Sequence, residues 1–145
     1  MKLVIGSDHA GFPLKEELKT YLTAQGHEVE DIGTYDSASC DYPVQAKKLC
    51  DRIVAGEGKL GILCCGTGIG MSMAANKIKG IRAACASDCF SVKFTRLHND
   101  ANVLCLGARV VGVGLACELV DLFVNTEFEG GRHQRRVDLI HELEN

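Results

Sequence analysis

The feature that most constrains this chain is a rhythm. A short apolar run is followed by an amphipathic stretch, and the pair recurs about five times in 145 residues. The runs are Leu3-Val4-Ile5, the weaker Val29-Glu30-Asp31-Ile32, Leu60 to Cys64, Ile81 to Cys85, and Val103 to Leu106. Strands that are apolar throughout, with no polar alternation, are covered on both faces. Between them, Leu14, Leu18, Tyr21 and Leu22 fall on one helical stripe. Ala46, Leu49, Cys50, Ile53 and Val54 do the same, as do Leu115, Leu119, Leu122 and Phe123. Phe90, Phe94 and Leu97 make a shorter stripe, and the segment after Gly130-Gly131 predicts a last helix over about residues 133–143. Alternation of this kind predicts a single α/β domain over 1–145, with a parallel sheet between helical layers.

Composition narrows the field. At 46% hydrophobic residues the chain is too apolar for disorder. No apolar run approaches the roughly 18 residues of a membrane span, and the first residues are too briefly apolar for a signal peptide. The expected location is the cytoplasm. A net charge of −3 argues against a nucleic-acid binder, which would carry a basic excess. The 8 cysteines stand at 40, 50, 64, 65, 85, 89, 105 and 117, mostly within apolar segments. With no secretion signal they read as reduced thiols. There is no CxxC pair, and Cys85-x-x-x-Cys89 is a weak metal signal, so no metal is expected.

In parallel sheets ligands bind beyond the carboxyl ends of the strands. The residues there are Gly6-Ser7-Asp8-His9-Ala10-Gly11 after the first strand and Cys65-Gly66-Thr67-Gly68-Ile69-Gly70 after the third. Ser87-Asp88 and Gly107-Ala108-Arg109 follow the fourth and fifth. Glycines let backbone approach a ligand, and a helix opening near Gly68 turns free amides toward it. An anion or a developing oxyanion would be stabilised there, and the same field favours thiolate at the mouth of the loop. No Lys follows the glycines and the loop follows strand three, so it is neither a Walker loop nor a dinucleotide fingerprint. A tight strand-to-helix turn beside a buried Cys accounts for the segment equally well.

The other candidates have structural alternatives too. Asp8-His9 is either a catalytic pair or a helix-capping Asp beside an incidental His. His98 could complement a helix dipole, and Asn99 and Asn102 could be turn formers. Arg132 and Arg136 are four apart, so a helix presents both on one face, suited to a phosphate or simply solvated. A salt bridge at the core edge would account for Arg109.

The stretches Gly6-Ser7-Asp8-His9-Ala10-Gly11, Asp41-Tyr42-Pro43 and Cys65-Gly66-Thr67-Gly68-Ile69-Gly70 resemble the ribose-5-phosphate isomerase B family, which also contains the galactose-6-phosphate isomerase subunits. The match continues through Ala74-Ala75-Asn76-Lys77, Gly80-Ile81-Arg82-Ala83, His98-Asn99-Asp100-Ala101-Asn102, Leu106-Gly107-Ala108-Arg109 and Phe128 to Val137. The resemblance implies a three-layer α/β/α, Rossmann-like fold with five parallel strands in the order 2-1-3-5-4. It implies a homodimer or dimer of dimers with shared active sites, the C-terminal helix packing at the dimer interface. It further implies cofactor-free interconversion of D-ribose 5-phosphate and D-ribulose 5-phosphate, a step of the pentose phosphate pathway.

By the same resemblance Cys65 is the base, Thr67 and the amides from Gly66 through Gly68 and Ile69 to Gly70 form the oxyanion site, and His98 opens the sugar ring. Asp8 and His9 line the sugar and phosphate end, Tyr42 packs on substrate, and Asn99 contacts a hydroxyl. Arg109, Arg132 and Arg136 take the phosphate. A branch of the family uses a Glu a few residues beyond the Cys position. Here Ser72, Met73 and Ala74 stand near that place, so the chain falls in the Cys branch. Cys64, next to Cys65, should face the opposite side of the sheet and stay buried. A hexose 6-phosphate (allose or galactose) is the alternative substrate. A non-catalytic sugar-phosphate sensor should have lost the base or ring opener, and a flavin binder would want more aromatic stacking partners than 3 Tyr and no Trp supply.

Overall fold

The computed structural model describes residues 1–144. Its elements alternate along the chain: β1 (Lys2–Ser7), α1 (Phe12–Ala24), β2 (Glu28–Asp31), α2 (Tyr42–Val54), β3 (Leu60–Cys65), α3 (Ile69–Ala75), β4 (Ala83–Cys85), α4 (Cys89–Asn99), β5 (Val103–Gly107), α5 (Val113–Asn125) and α6 (Arg132–Glu142). All five strands run parallel in the order β2-β1-β3-β5-β4. The three-layer α/β/α expectation and its strand order are met.

The central strands are apolar on both sides because both sides are covered. Leu3, Ile5, Ile62, Cys64, Leu104 and Leu106 join the core under α1, α4 and α5. Val4, Leu63, Cys65, Val103 and Cys105 alternate with them and face α2 and α3. This pleat sends Cys64 and Cys65 to opposite layers, as expected. Burial pushes the Cys64 thiol far above its ordinary pKa, as it does that of Cys105, and it lifts Cys50 to about 12. These three are core sulfurs, and all eight cysteines are free.

The Phe90-Phe94-Leu97 stripe does lie on a helix, but it is not the buried face of α4. Val92 and Arg96 face inward, while Phe90 is 70% exposed and stacks on Phe94 with ring centroids 4.3 Å apart. Arg96 can take an inward place because Thr126 and Ala101 carbonyls and the Asp100 carboxylate accept its N–H groups. Polar satisfaction there outranks aromatic burial. No helix is long and apolar enough to cross a membrane among the described residues.

Candidate active site

The loop from Cys65 to Gly70 sits at the carboxyl edge of the sheet, between β3 and α3. Gly68 has φ of +81°, a left-handed conformation, and a Cβ there would stand 3.0–3.2 Å from the backbone of Cys105 and Leu106. Only glycine fits both constraints. The turn this permits brings the Gly68 N–H to Cys65 Sγ at 3.0 Å. Thr67 is exposed, and its Oγ1 accepts the Ile69 N–H at 3.2 Å, leaving the hydroxyl proton free to be donated. The amide of Gly70, in the first turn of α3, has no intrahelical partner by position. The loop is thus a strand-to-helix turn and also holds a thiol that accepts the Gly68 amide, so the two accounts of it are compatible.

Three neighbours close around this loop. A Cβ at Gly66 would lie 3.3 Å from Arg109 Nη1, so the Arg109 guanidinium rests on the loop backbone. The Arg109 N–H donates to Gly66 O at 3.0 Å, while its side chain makes no ion pair among the described residues. The core-edge salt bridge is therefore absent, and the cation faces open space. Tyr42, the first residue of α2, lays its ring against Gly70, where a Cβ would meet ring carbons at 2.8 Å. Asp8 is buried just after β1, and its Oδ1 accepts the Gly11 N–H at 2.9 Å, but it does not cap α1, whose N-cap is Gly11 and has no side-chain cap hydrogen bond. His9 Nδ1 accepts the Cys40 N–H at 3.2 Å, which puts the ring proton of the neutral form on Nε2.

His98, Asn99, Arg132 and Arg136 are elsewhere. Helix α4 leaves the carboxyl edge at Asp88, whose carboxylate caps it through the Ser91 N–H at 2.7 Å, and runs back antiparallel to the strands. Its 11 residues span about 16 Å at 1.5 Å per residue, which delivers His98 and Asn99 to the amino edge. Helix α6 docks at the same edge. The Glu129 N–H donates to Leu97 O, His133 stacks on His98 at 4.0 Å and 13°, Arg82 meets His141 at 2.6 Å, and the Gly80 N–H donates to Glu144 at 2.9 Å. Arg132 and Arg136 are exposed on α6, the latter reaching only Arg132 O at 3.5 Å. Asn102 is no local turn former: its side chain accepts the Arg82 N–H and donates to the Gly80 carbonyl, tying the approach to β4 onto the start of β5, whereas the Asn99 side chain makes no hydrogen bond among the described residues.

Two buried features went unread in the sequence. Lys15 is fully buried, its ammonium held by Asp31 at 2.8 Å and by the Thr34 carbonyl, and it steadies the loop after β2. Desolvation would raise the Asp31 pKa, but hydrogen bonds from Lys15, Lys19 and the Gly33 N–H outweigh it and hold the carboxyl below its ordinary value. The two residues are sixteen apart, beyond any helical or strand spacing that would flag them. His133 is the second feature. It was visible only as one letter of a basic run.

The sequence model of the ribose/galactose isomerase family matches residues 3–140. The chain is 48% identical over 143 residues to ribose-5-phosphate isomerase B of Escherichia coli strain K12, covering 99% of this chain and 96% of that one. Among solved structures, ribose-5-phosphate isomerase B of Clostridium thermocellum superposes with a TM-score of 0.98 at 49% identity, covering 99% of this chain and 97% of that one. The ribose 5-phosphate isomerase of Thermotoga maritima gives 0.96 at 51% identity, with 97% of each chain covered.

Proposed function

The chain belongs to the ribose/galactose isomerase family, and we propose that within it this protein interconverts D-ribose 5-phosphate and D-ribulose 5-phosphate through an enediolate. The observation that carries the proposal is Cys65 Sγ receiving an amide hydrogen at 3.0 Å in the mouth of a glycine turn on which an unpaired guanidinium rests. Moving a carbonyl from C1 to C2 needs a base for the C2 proton, donors for the oxygen that becomes negative, and a grip on the phosphate. Cys65 as thiolate takes the C2 proton and the electron pair of that bond moves to form the enediolate. The same sulfur, now a thiol, returns the proton to C1 while a proton passes from O2 to O1. The Thr67 hydroxyl and the amide of Gly70 stabilise the charge between these steps.

The sugar arrives mostly as a ring. His98 opens it by taking the anomeric hydroxyl proton and supplying one to the ring oxygen, Asn99 binds a hydroxyl, and Asp8, His9 and Tyr42 line the sugar. Arg109, Arg132 and Arg136 hold the phosphate. His98 and Cys65 belong to opposite edges of one sheet, so a complete site takes its carboxyl-edge half from one chain and its amino-edge half from a second copy. The exposed aromatic stripe of α4 and the exposed Leu139 and Ile140 of α6 are the surfaces such a copy would cover. The proposed chemistry runs without a cofactor.

The decisive experiment mixes purified protein with D-ribose 5-phosphate and no added metal, and follows ribulose 5-phosphate. Turnover is expected, and Cys65→Ala should remove it while substrate still binds, a base being worth roughly 10²–10⁴ in rate. Lost affinity with turnover retained at saturation would remove Cys65 from this role. Turnover of allose or galactose 6-phosphate alone would move the substrate to the hexoses.

A further inference from the structure

His98, Glu129 and His133 are the group of three ligand-type side chains that comes together among the described residues, one donor atom from each lying within 4.8 Å of the others. We propose that these three side chains bind a divalent transition-metal ion of the zinc, cobalt or nickel type, and that the ion inhibits the enzyme by withdrawing His98 from the sugar. The inhibitory half rests on the function proposed above; the site itself does not.

Two imidazoles and one carboxylate form a donor set suited to borderline metals. Their backbones are already fixed. His98 lies in the last turn of α4, the Glu129 N–H is bonded to Leu97 O at 3.1 Å, and His133 follows in the first turn of α6. Independently of the cluster's composition, His133 Nε2 is a buried nitrogen with no hydrogen-bond partner, on a side chain only 10% exposed. The Glu129 Oε2 stands 3.4 Å away. A buried polar atom left unpaired costs free energy that a ligand recovers. Burial, then the neighbouring His98, Arg132 and Arg136, hold the His133 pKa below its ordinary value against the opposing pull of Glu129.

The stack determines what the ion does. Rings parallel to within 13° aim their lone pairs along parallel planes, so both cannot ligate one ion until one ring turns. Metal–nitrogen bonds of about 2.1 Å also require the donors to close to roughly 3.4 Å. His98 is the ring able to turn. It is half-buried, and it also meets Phe94 in a T-shaped contact, with centroids 5.0 Å apart. Turning it toward the ion commits its lone pair and ends its service to the sugar. The same enzyme that needs no metal for chemistry is thus stopped by one.

Eight free thiols compete for such ions, so the test must tell sulfur from nitrogen. Wild-type protein, Glu129→Gln and His133→Phe (which keeps an aromatic ring against His98) are titrated with Co²⁺ and read by absorption. The expected wild-type spectrum has ligand-field bands and no sulfur-to-metal charge transfer from the high-affinity site. Either variant should bind about tenfold or more weakly. Glu129→Gln should keep its metal-free turnover and lose sensitivity to Zn²⁺, and a chelator should restore the inhibited wild type. Equal affinity in all three proteins, or a thiolate band from the first equivalent, would overturn the site. Binding that the variants lose, with wild-type turnover indifferent to metal, leaves the site standing and overturns the inhibition together with the role of His98 in ring opening. Should His133→Phe not fold, Glu129→Gln decides alone.

Discussion

The two edges of the sheet are built in contrasting ways. At the carboxyl edge most candidate side chains are fixed by their own chain: Cys65 by the Gly68 amide, Asp8 by the Gly11 amide, His9 by the Cys40 amide, Tyr42 by contact with Gly70, with the Arg109 guanidinium left unpaired among the described residues. At the amino edge the candidates point outward and find few partners. Among the described residues the Asn99 side chain makes no hydrogen bond, Arg132 and Arg136 are exposed, and Leu139 and Ile140 of α6 lie open. On the function proposed above, the first edge would be preorganised for chemistry and the second for contact with a second copy. An edge that is complete needs nothing more from the sequence, whereas an open edge identifies what is missing.

The largest effect would come from testing that division directly. Cys65→Ala and His98→Ala chains should each be inactive alone. Mixed and allowed to exchange, they should recover about a quarter of wild-type turnover, since half the dimers are hybrids and one site in each hybrid is intact. No recovery from demonstrably mixed dimers would place both residues in one chain's site and dissolve the contrast. A second experiment sharpens it by loosening only the carboxyl edge. Lys15→Met leaves the Asp31 carboxylate without its buried cation and should cost about 3 kcal/mol in denaturant unfolding. The Asp31 pKa is lower folded than unfolded, so its contribution is present above the ordinary carboxylate range and lost as pH falls through the lowered value. Wild-type stability should therefore decline on acidification across that window, and the decline should shrink in Lys15→Met. A decline of unchanged size would mean that Lys19 and Gly33 alone support Asp31. The smallest effect concerns the amino edge. Arg136→Ala should weaken phosphorylated sugars by roughly tenfold through KM while leaving free ribose unaffected, one charge-assisted contact being worth about 1.5–3 kcal/mol. Equal weakening of both would remove Arg136 from the phosphate.

How much of this could be read beforehand follows the reach of each signal. Strand and helix positions came from periods of a few residues, and each apolar run became a strand. The glycine turn and the opposite fates of Cys64 and Cys65 were equally local, since a pleat and a left-handed φ are properties of neighbours. The inward Arg96, the Lys15–Asp31 pair and the His98–His133 stack join residues brought together only by packing, and no spacing announces them. The segregation of the candidates to two edges was also invisible as a list of residues. It follows once the strands are known to be parallel, because each returning helix then carries its last turn to the far edge. The shared site itself was expected from family resemblance alone.

The length of α4 has a consequence in time as well as in space. Eleven residues of packed helix do not bend to carry His98 across to Cys65, so the proposed chemistry, which uses both, would wait for two chains to meet. Such an activity obeys mass action in the protein itself. At low abundance it grows with the square of the amount synthesised, and dilution extinguishes it faster than dilution removes the protein. A cell holding few copies would have nearly none of the activity, and a modest rise in expression would bring on most of it.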